Sequence, residues 1–168
     1  FTGFFALGTV FTIMIGVGVA DGTGFLSALL RKVAASTPKG LVTSVVVFLG
    51  IMSNIASSTG YVVLVPLGAI LFMAFGRHSI AGLAAAFAGV SGGWSANLLI
   101  ATNDPMFAGM STQAAQTLDP NYTVLPVANW FFMIASTFLI TAIGTLVTDK
   151  LVEPRLTPYV PDASEQVQ

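Results

Sequence analysis

A run of small polar residues interrupts an apolar stretch in the first half of the chain. Residues 53–60 read SNIASSTG, between apolar arms at 41–52 and 61–75. Hydroxyl, amide and freed carbonyl oxygens are hard ligands of the kind that bind Na⁺. The first arm would end there with its negative dipole end, which favours a cation. We therefore predict that Ser53 and Asn54 bind Na⁺.

The second arm would begin at the same point and present its positive end to a substrate carboxylate. The residues expected to contact substrate there are Ser57, Ser58, Thr59 and Gly60. The alternative interpretation is that all of residues 53–60 form an ordinary solvent-exposed turn.

A second polar interruption reads VSGGWSAN, at 90–97. Two adjacent glycines weaken a helix, and Gly92 and Gly93 are expected to help the Na⁺ site with their backbone. Polar side chains follow at once, so Trp94, Ser95 and Asn97 are predicted to contact substrate. For Trp94 the competing interpretation is simple packing.

Asp104 is the only acidic residue between Asp21 and Asp119. Pro105 follows it and lacks a backbone donor, so a helix is expected to be broken there. An ionisable group at membrane depth is costly and needs a functional reason. Asp104 is therefore a candidate carrier of the coupling proton or cation. The alternative places it at the outer mouth of a span, without a role.

The sequence offers little for covalent catalysis. It has one histidine, no cysteine, no G-x-S-x-G pattern and no glycine loop followed by lysine. We expect no enzymatic activity and no cofactor, with Na⁺ as a possible coupling ion.

Composition indicates which solvent surrounds these residues. The chain is 55% hydrophobic and 8% charged, with a mean hydropathy of +0.87, whereas soluble domains are about 25% charged. The net charge of −1 provides no basic surface for nucleic acid. A polytopic membrane protein is predicted, with the lipid bilayer as its surroundings.

The apolar blocks predict an all-α fold. Spans are expected at about 4–20, 79–101 and 126–148. An amphipathic interfacial helix is expected at about 25–36. Residues 157–168 are expected to be the start of a linker. The arms at 41–52 and 61–75 are each shorter than the roughly 20 residues that cross a bilayer. They form either one broken span or a re-entrant hairpin, 41–75.

The positive-inside rule distinguishes these alternatives. A hairpin places all six basic residues on one side, whereas a broken span divides them three and three. They are Arg31, Lys32, Lys39, Arg77, Lys150 and Arg155. We therefore predict a re-entrant hairpin that opens to the cytoplasm, beside a discontinuous transmembrane helix at 79–101.

Several motifs are similar to those of the p-aminobenzoyl-glutamate transporter (AbgT) family. They are FTGF (1–4), LGTV (7–10), GIMSNIAS (50–57), GYVVLVP (60–66), GRH (76–78), AGLAAAFAGVSGG (81–93), SANL (95–98), DP (104–105 and 119–120), ANW (128–130) and VEPR (152–155). The resemblance covers the chain to about Leu156. The tip is also similar to that of dicarboxylate/sodium symporters, with Ile55 in place of a threonine.

The resemblance implies an inverted-repeat transporter with two re-entrant hairpins, of which this chain holds one repeat. It implies a homodimer in the bacterial inner membrane. The substrates would be p-aminobenzoyl-glutamate or sulfonamide antimetabolites, moved by a proton or sodium gradient. Two alternatives stay open: a dicarboxylate/sodium symporter-like carrier, and an ion channel with a pore-loop hairpin.

Overall fold

The computed structural model describes residues 36–56, 59–101 and 103–156, with scattered positions between 15 and 32. The expected span at 4–20, the expected interfacial helix at 25–36 and the linker at 157–168 lie wholly or mostly outside these residues. The side chains of residues 56–59 are likewise outside the described part.

The described part is helical and contains no strand, which confirms the all-α class. Short 3-10 turns occur at Lys39–Leu41, Ser53–Ala56 and Glu153–Arg155, and a π-helical turn at Thr148–Val152. The α-helices are α1 (Val42–Met52), α2 (Thr59–Ala74), α3 (Ser79–Gly92), α4 (Asn103–Ala115) and α5 (Trp130–Val147).

Helices α1 and α2 form the predicted helical hairpin. Leu49 packs with Leu64 in the middle of the pair. The side chain of Ser53 lies directly on Gly60 at the tip. Nearer the open end, Val46 lies against Gly68. Because the partner numbers fall as the α1 numbers rise, the two helices are antiparallel.

Helix α3 fits against both arms of the hairpin through glycines. A Cβ on Gly50 of α1 would lie 2.9 Å from the Cα of Gly89 in α3, and Gly68 of α2 meets Gly82 in the same way. The helices therefore touch through backbone atoms, as small-residue interfaces in membranes do. The contacts make α3 parallel to α1 and antiparallel to α2.

We expect Gly89→Ala to destabilise the protein strongly. Its Cβ would clash with the backbone of Val47, which cannot rotate away as a side chain can. The cost should be about 3 kcal/mol, at the upper end of ordinary overpacking. Thermal unfolding of the purified protein in detergent measures it. Gly92→Ala in the same helix is the matched control, since its Cβ would meet only Ile140, at 4.0 Å. Equal melting temperatures for the two variants would contradict the close helix contact.

Helix α5 covers the other side of α1 and runs antiparallel to it. Thr145 donates to Ser44 Oγ at 3.2 Å, and Gly144 packs on Val47. With the turns that follow it, α5 forms the one helix in the described part that is long and apolar enough to cross a membrane, Trp130–Arg155. Only 17% of the residues in its most apolar 18-residue stretch are buried, so most of the apolar surface of this helix faces away from the other described helices.

Helix α5 also gives the depth of the hairpin tip. Ile140 is the residue nearest to Gly92, at the end of α3. It lies ten residues beyond Trp130, or about 15 Å along a helix that rises 1.5 Å per residue. A bilayer core is about 30 Å thick. Gly92, at the end of α3 beside the hairpin tip, therefore lies partway along the helix Trp130–Arg155, short of its middle.

The segment expected as a span at 79–101 is discontinuous, and its second half is not helical. Helix α3 ends at Gly92, and residues 93–101 form turns, bends and irregular chain. Helix α4 then begins at Asn103, beyond the end of the expected span, where no helix was predicted. Asp104 and Pro105 lie in its first turn, where a proline has no helical hydrogen bond to lose. The break therefore precedes Asp104 instead of coinciding with it.

Candidate functional site

The hairpin tip is built on hydrogen bonds from its two polar side chains. Asn54 Nδ2 donates to the carbonyl oxygens of Ile51 and Val90, both at 3.1 Å. Ser53 Oγ donates to Gly50 O at 2.6 Å. Both side chains are buried. They satisfy carbonyls that the end of α1 leaves free and tie α1 to α3. Their own oxygen atoms keep lone pairs that can accept a further ligand.

The tip gathers part of the predicted Na⁺ set. Gly93 packs against Ile51, so its backbone lies beside the end of α1 near Ser53 and Asn54. Gly92 does not join them, because it is exposed on the side of α3 that faces Ile140. Of the residues predicted to contact substrate here, Gly60 lies under Ser53. The side chains of Ser57, Ser58 and Thr59 are not described.

A cavity of about 140 Å³ lies at the same end of the bundle. Four of the predicted residues line it together, because the chain turns at Gly93 and returns into α4. They are Trp94, Ser95, Asn97 and Asp104. The other lining residues are Ala101, Asn103, Phe107, Asn129, Phe132 and Met133. The cavity thus combines aromatic walls with amide and carboxyl groups, which is the usual character of a small-molecule site.

Two tryptophans make defined contacts in and beside the cavity. The rings of Trp94 and Phe107 meet edge to face, with centroids 6.2 Å apart and an angle of 72°. Trp130 Nε1 donates to Leu98 O at 3.0 Å, which fastens the start of α5 to the non-helical segment. Trp94 itself is 55% exposed. Its ring is therefore available for contact with a molecule in the cavity.

Asp104 has a structural contact as well as a place in the cavity. Its Oδ2 accepts the Ala101 N–H at 2.6 Å and so helps to start α4, which lies outside the spanning helices. Burial raises the pKa of the Asp104 carboxyl above its ordinary value, and the Ala101 hydrogen bond opposes that rise in part. The carboxyl can therefore hold a proton closer to neutral pH than an exposed aspartate does.

The sequence did not predict the residues that α5 adds to the cavity. Asn129 directly precedes α5, and Phe132 and Met133 lie in its first turn. No local signal identifies them, because they reach the cavity through helix packing. Phe107 was missed for a different reason: its helix, α4, was not predicted.

A charged cluster at the open end of the hairpin was also missed. Arg77 Nη2 pairs with Asp149 Oδ1 at 2.7 Å and with Glu153. Its Nη1 donates to Thr43 Oγ1 at 2.7 Å, and its guanidinium lies over the Phe72 ring at 4.2 Å. Hydrogen bonds to Glu153 are the main cause of the raised Arg77 pKa, so the group stays protonated. The local sequence feature that could have indicated this cluster is the spacing of Asp149 and Glu153, which are four residues apart and so lie on one face of a helix.

The turn that places Arg77 depends on Gly76. Its φ of 71° is a left-handed conformation that glycine adopts at the ends of helices. The Arg77 N–H donates to Phe72 O at 2.8 Å, closing the end of α2. The open ends of α1 and α2 are thus joined to the end of α5.

A short-armed helical hairpin beside a discontinuous helix is the arrangement from which secondary transporters build midplane sites. The family comparison agrees: residues 1–168 match the model of the "AbgT putative transporter family". The chain belongs to the AbgT family. Its relatives are transporters and efflux pumps and not enzymes.

Three relatives show the extent of the similarity. The p-aminobenzoyl-glutamate transport protein of Escherichia coli (strain K12) is 40% identical over 168 residues. The Alcanivorax borkumensis YdaH transporter, whose structure is described as having an unusual topology, is 47% identical over 97% of this chain, with a TM-score of 0.92. Neisseria gonorrhoeae MtrF, described with a class of antimetabolite efflux pumps, is 57% identical over 98%, with a TM-score of 0.89.

The chain spans about a third of the length of these relatives. It covers 33% of the Escherichia coli protein, 35% of YdaH and 33% of MtrF.

Proposed function

We propose that the protein containing this chain is a secondary active transporter of p-aminobenzoyl-glutamate or related aromatic antimetabolites, including sulfonamides. The observation that carries the proposal is the hairpin tip, which packs on the end of α3 partway along α5, with the cavity lined by the residues that follow α3. Transport would be coupled to a proton or sodium gradient. The protein would act as a homodimer in the bacterial inner membrane.

The size of the cavity supports a small aromatic group. A cavity of about 150 Å³ in another protein holds benzene, so about 140 Å³ has room for one ring. A whole p-aminobenzoyl-glutamate molecule is larger, and its remaining contacts would come from the rest of the transporter. Its carboxylates would lie near the start of α2, against Ser57, Ser58, Thr59 and Gly60.

Two sites are proposed for the coupling ion. Na⁺ would bind at the tip through Ser53 Oγ, Asn54 Oδ1 and nearby backbone carbonyls, since these oxygens are not used up by the bonds that build the tip. A proton would instead be carried by Asp104. Because Asn54 also holds α1 to α3, Asn54→Ala tests the tip poorly; sodium dependence of binding in Ser53→Ala is the cleaner measurement.

The hairpin is expected to be re-entrant, with residues 40 and 79 on the cytoplasmic side. Gly40→Cys and Ser79→Cys should react with an impermeant thiol reagent only from the cytoplasm, because each arm is too short to cross. Asn121→Cys, in the exposed turn beyond α4, should react only from outside. Labelling of positions 40 and 79 from opposite sides would restore the single broken span.

Counterflow in liposomes tests the proposed function. The purified full-length transporter should exchange labelled p-aminobenzoyl-glutamate saturably, with sodium and proton gradients varied separately. Preferential competition by succinate or citrate would favour a dicarboxylate carrier instead. Flux that does not saturate and needs no gradient would favour a channel.

A further inference from the structure

A buried side chain beside the cavity has a hydrogen-bond donor without an acceptor among residues 36–56, 59–101 and 103–156. Asn97 is 2% exposed, and its Nδ2 has no hydrogen-bond partner there. Buried polar groups in folded proteins almost always have one. The free donor therefore indicates a partner that is not among these residues.

The orientation of the Asn97 amide is determined by its other end. The Leu99 N–H donates to Asn97 Oδ1 at 3.3 Å. Only the oxygen of an amide can accept such a bond, so the NH₂ group must be the end that remains unpaired. A partner of Nδ2 must be a hydrogen-bond acceptor. A bare cation such as Na⁺ cannot fill that role.

The surroundings of Asn97 restrict the partner further. Trp94, Phe107 and Phe132 give the cavity aromatic walls, and Asp104 lines the same small space. A carboxylate held there would be repelled by Asp104 whenever Asp104 is ionised. A neutral acceptor on an aromatic ring, such as a sulfonyl or amide oxygen, avoids that repulsion and matches the walls.

We infer that Asn97 is a specificity-determining residue, whose Nδ2 donates to a neutral acceptor oxygen on the aromatic ring of the transported molecule. The inference rests on the proposed function and deepens it. It assigns the cavity beside Trp94 to the neutral end of the substrate. The carboxylate end of the substrate would then bind near the start of α2.

Equilibrium binding to the purified full-length transporter tests the role of Asn97. The probes are sulfanilamide, which carries a sulfonyl acceptor, and aniline, which has the same ring and amine without it. Asn97→Leu is close in size and removes the NH₂ donor without placing a second carboxyl group beside Asp104. The Leu99 N–H loses its acceptor in this variant, but that change is the same for both probes. The variant should weaken sulfanilamide binding about tenfold, the order of one lost hydrogen bond, with little change for aniline. Asn121→Leu, in an exposed turn, is the matched control and should change neither.

The outcomes separate this inference from the proposed function. Equal weakening of both probes, or a lower melting temperature of the unliganded variant with unchanged discrimination, would mean that another segment of the protein accepts the Asn97 bond. Either result overturns the inference and leaves transport standing. A parental protein that shows no counterflow of p-aminobenzoyl-glutamate would instead sink the proposed function.

Discussion

Asp104→Asn is expected to lower gradient-driven transport by about tenfold or more, a loss of at least about 1.4 kcal/mol in transition-state terms. The amide keeps the shape of the side chain and an oxygen that can accept the Ala101 N–H, so α4 should still begin at the same place. It has no proton to exchange and no charge to neutralise a cation. The measurement is uptake or efflux in liposomes with an imposed gradient.

The raised pKa of Asp104 also predicts how the transport rate should depend on pH. Because burial raises the Asp104 pKa, the carboxyl in the parental protein should lose its proton at a higher pH than an exposed aspartate. The parental rate should therefore vary with pH above the ordinary aspartate range of about 3.9, and the Asn variant should lose that dependence.

Asp119→Asn is the matched control for Asp104→Asn. Asp119 also accepts a nearby backbone N–H, from Asn121 at 3.0 Å, but it lies in an exposed turn. The Asp119→Asn variant should transport at the parental rate. If Asp104→Asn also transports at that rate across neutral pH, Asp104 only starts α4 and has no part in coupling.

Arg77→Ala is expected to lower the stability of the protein clearly. It would leave Asp149 and Glu153 without their shared partner at the end of α5. Removing one partner from a fully buried ion pair costs about 3–5 kcal/mol. The three side chains here are 22% to 37% exposed, so water screens them in part and about 2 kcal/mol is expected. Thermal unfolding of the full-length transporter in detergent provides the measurement.

Two variants separate charge from geometry at Arg77. Arg77→Lys keeps the charge but cannot bond both acids and Thr43 at once, so it should fall between the parent and the alanine variant. Arg155→Ala removes an exposed arginine from the same end of the molecule and should have little effect. A loss at Arg155 as large as that at Arg77 would show that general charge matters, and not this cluster.

The sequence predicted the hairpin and the break after α3 because both are local properties. Arm length, charge distribution and the pair Gly92 and Gly93 can be counted along the chain. Helix α4 was missed because only Pro105 and Ala108 are buried in it, which leaves almost no periodic pattern. The turn after Gly92 brings Trp94, Ser95, Asn97 and Asp104 together around one cavity.

Contacts between distant segments were not predictable in the same way. Arg77 meets its acids across 72 and 76 residues, and Phe132 and Met133 enter the cavity from a helix that starts well after it. Such pairs depend on how α5 is placed against α1. Periodicity within either helix does not specify that placement. The hydrogen bonds by which Ser53 and Asn54 cap α1 were not predicted either, because the same side chains were interpreted only as ligands of Na⁺.

The contact of Gly50 with Gly89 bears on how a transport cycle can move. Sliding between packed helices needs a layer of side chains that can change rotamers as they pass. Here the two backbones meet directly, so a small displacement produces a clash that no rotamer relieves. The hairpin and α3 therefore behave as one rigid body. Alternating access would require this unit to rotate or translate as a whole, with the non-helical residues 93–101 as a segment beside it that can bend.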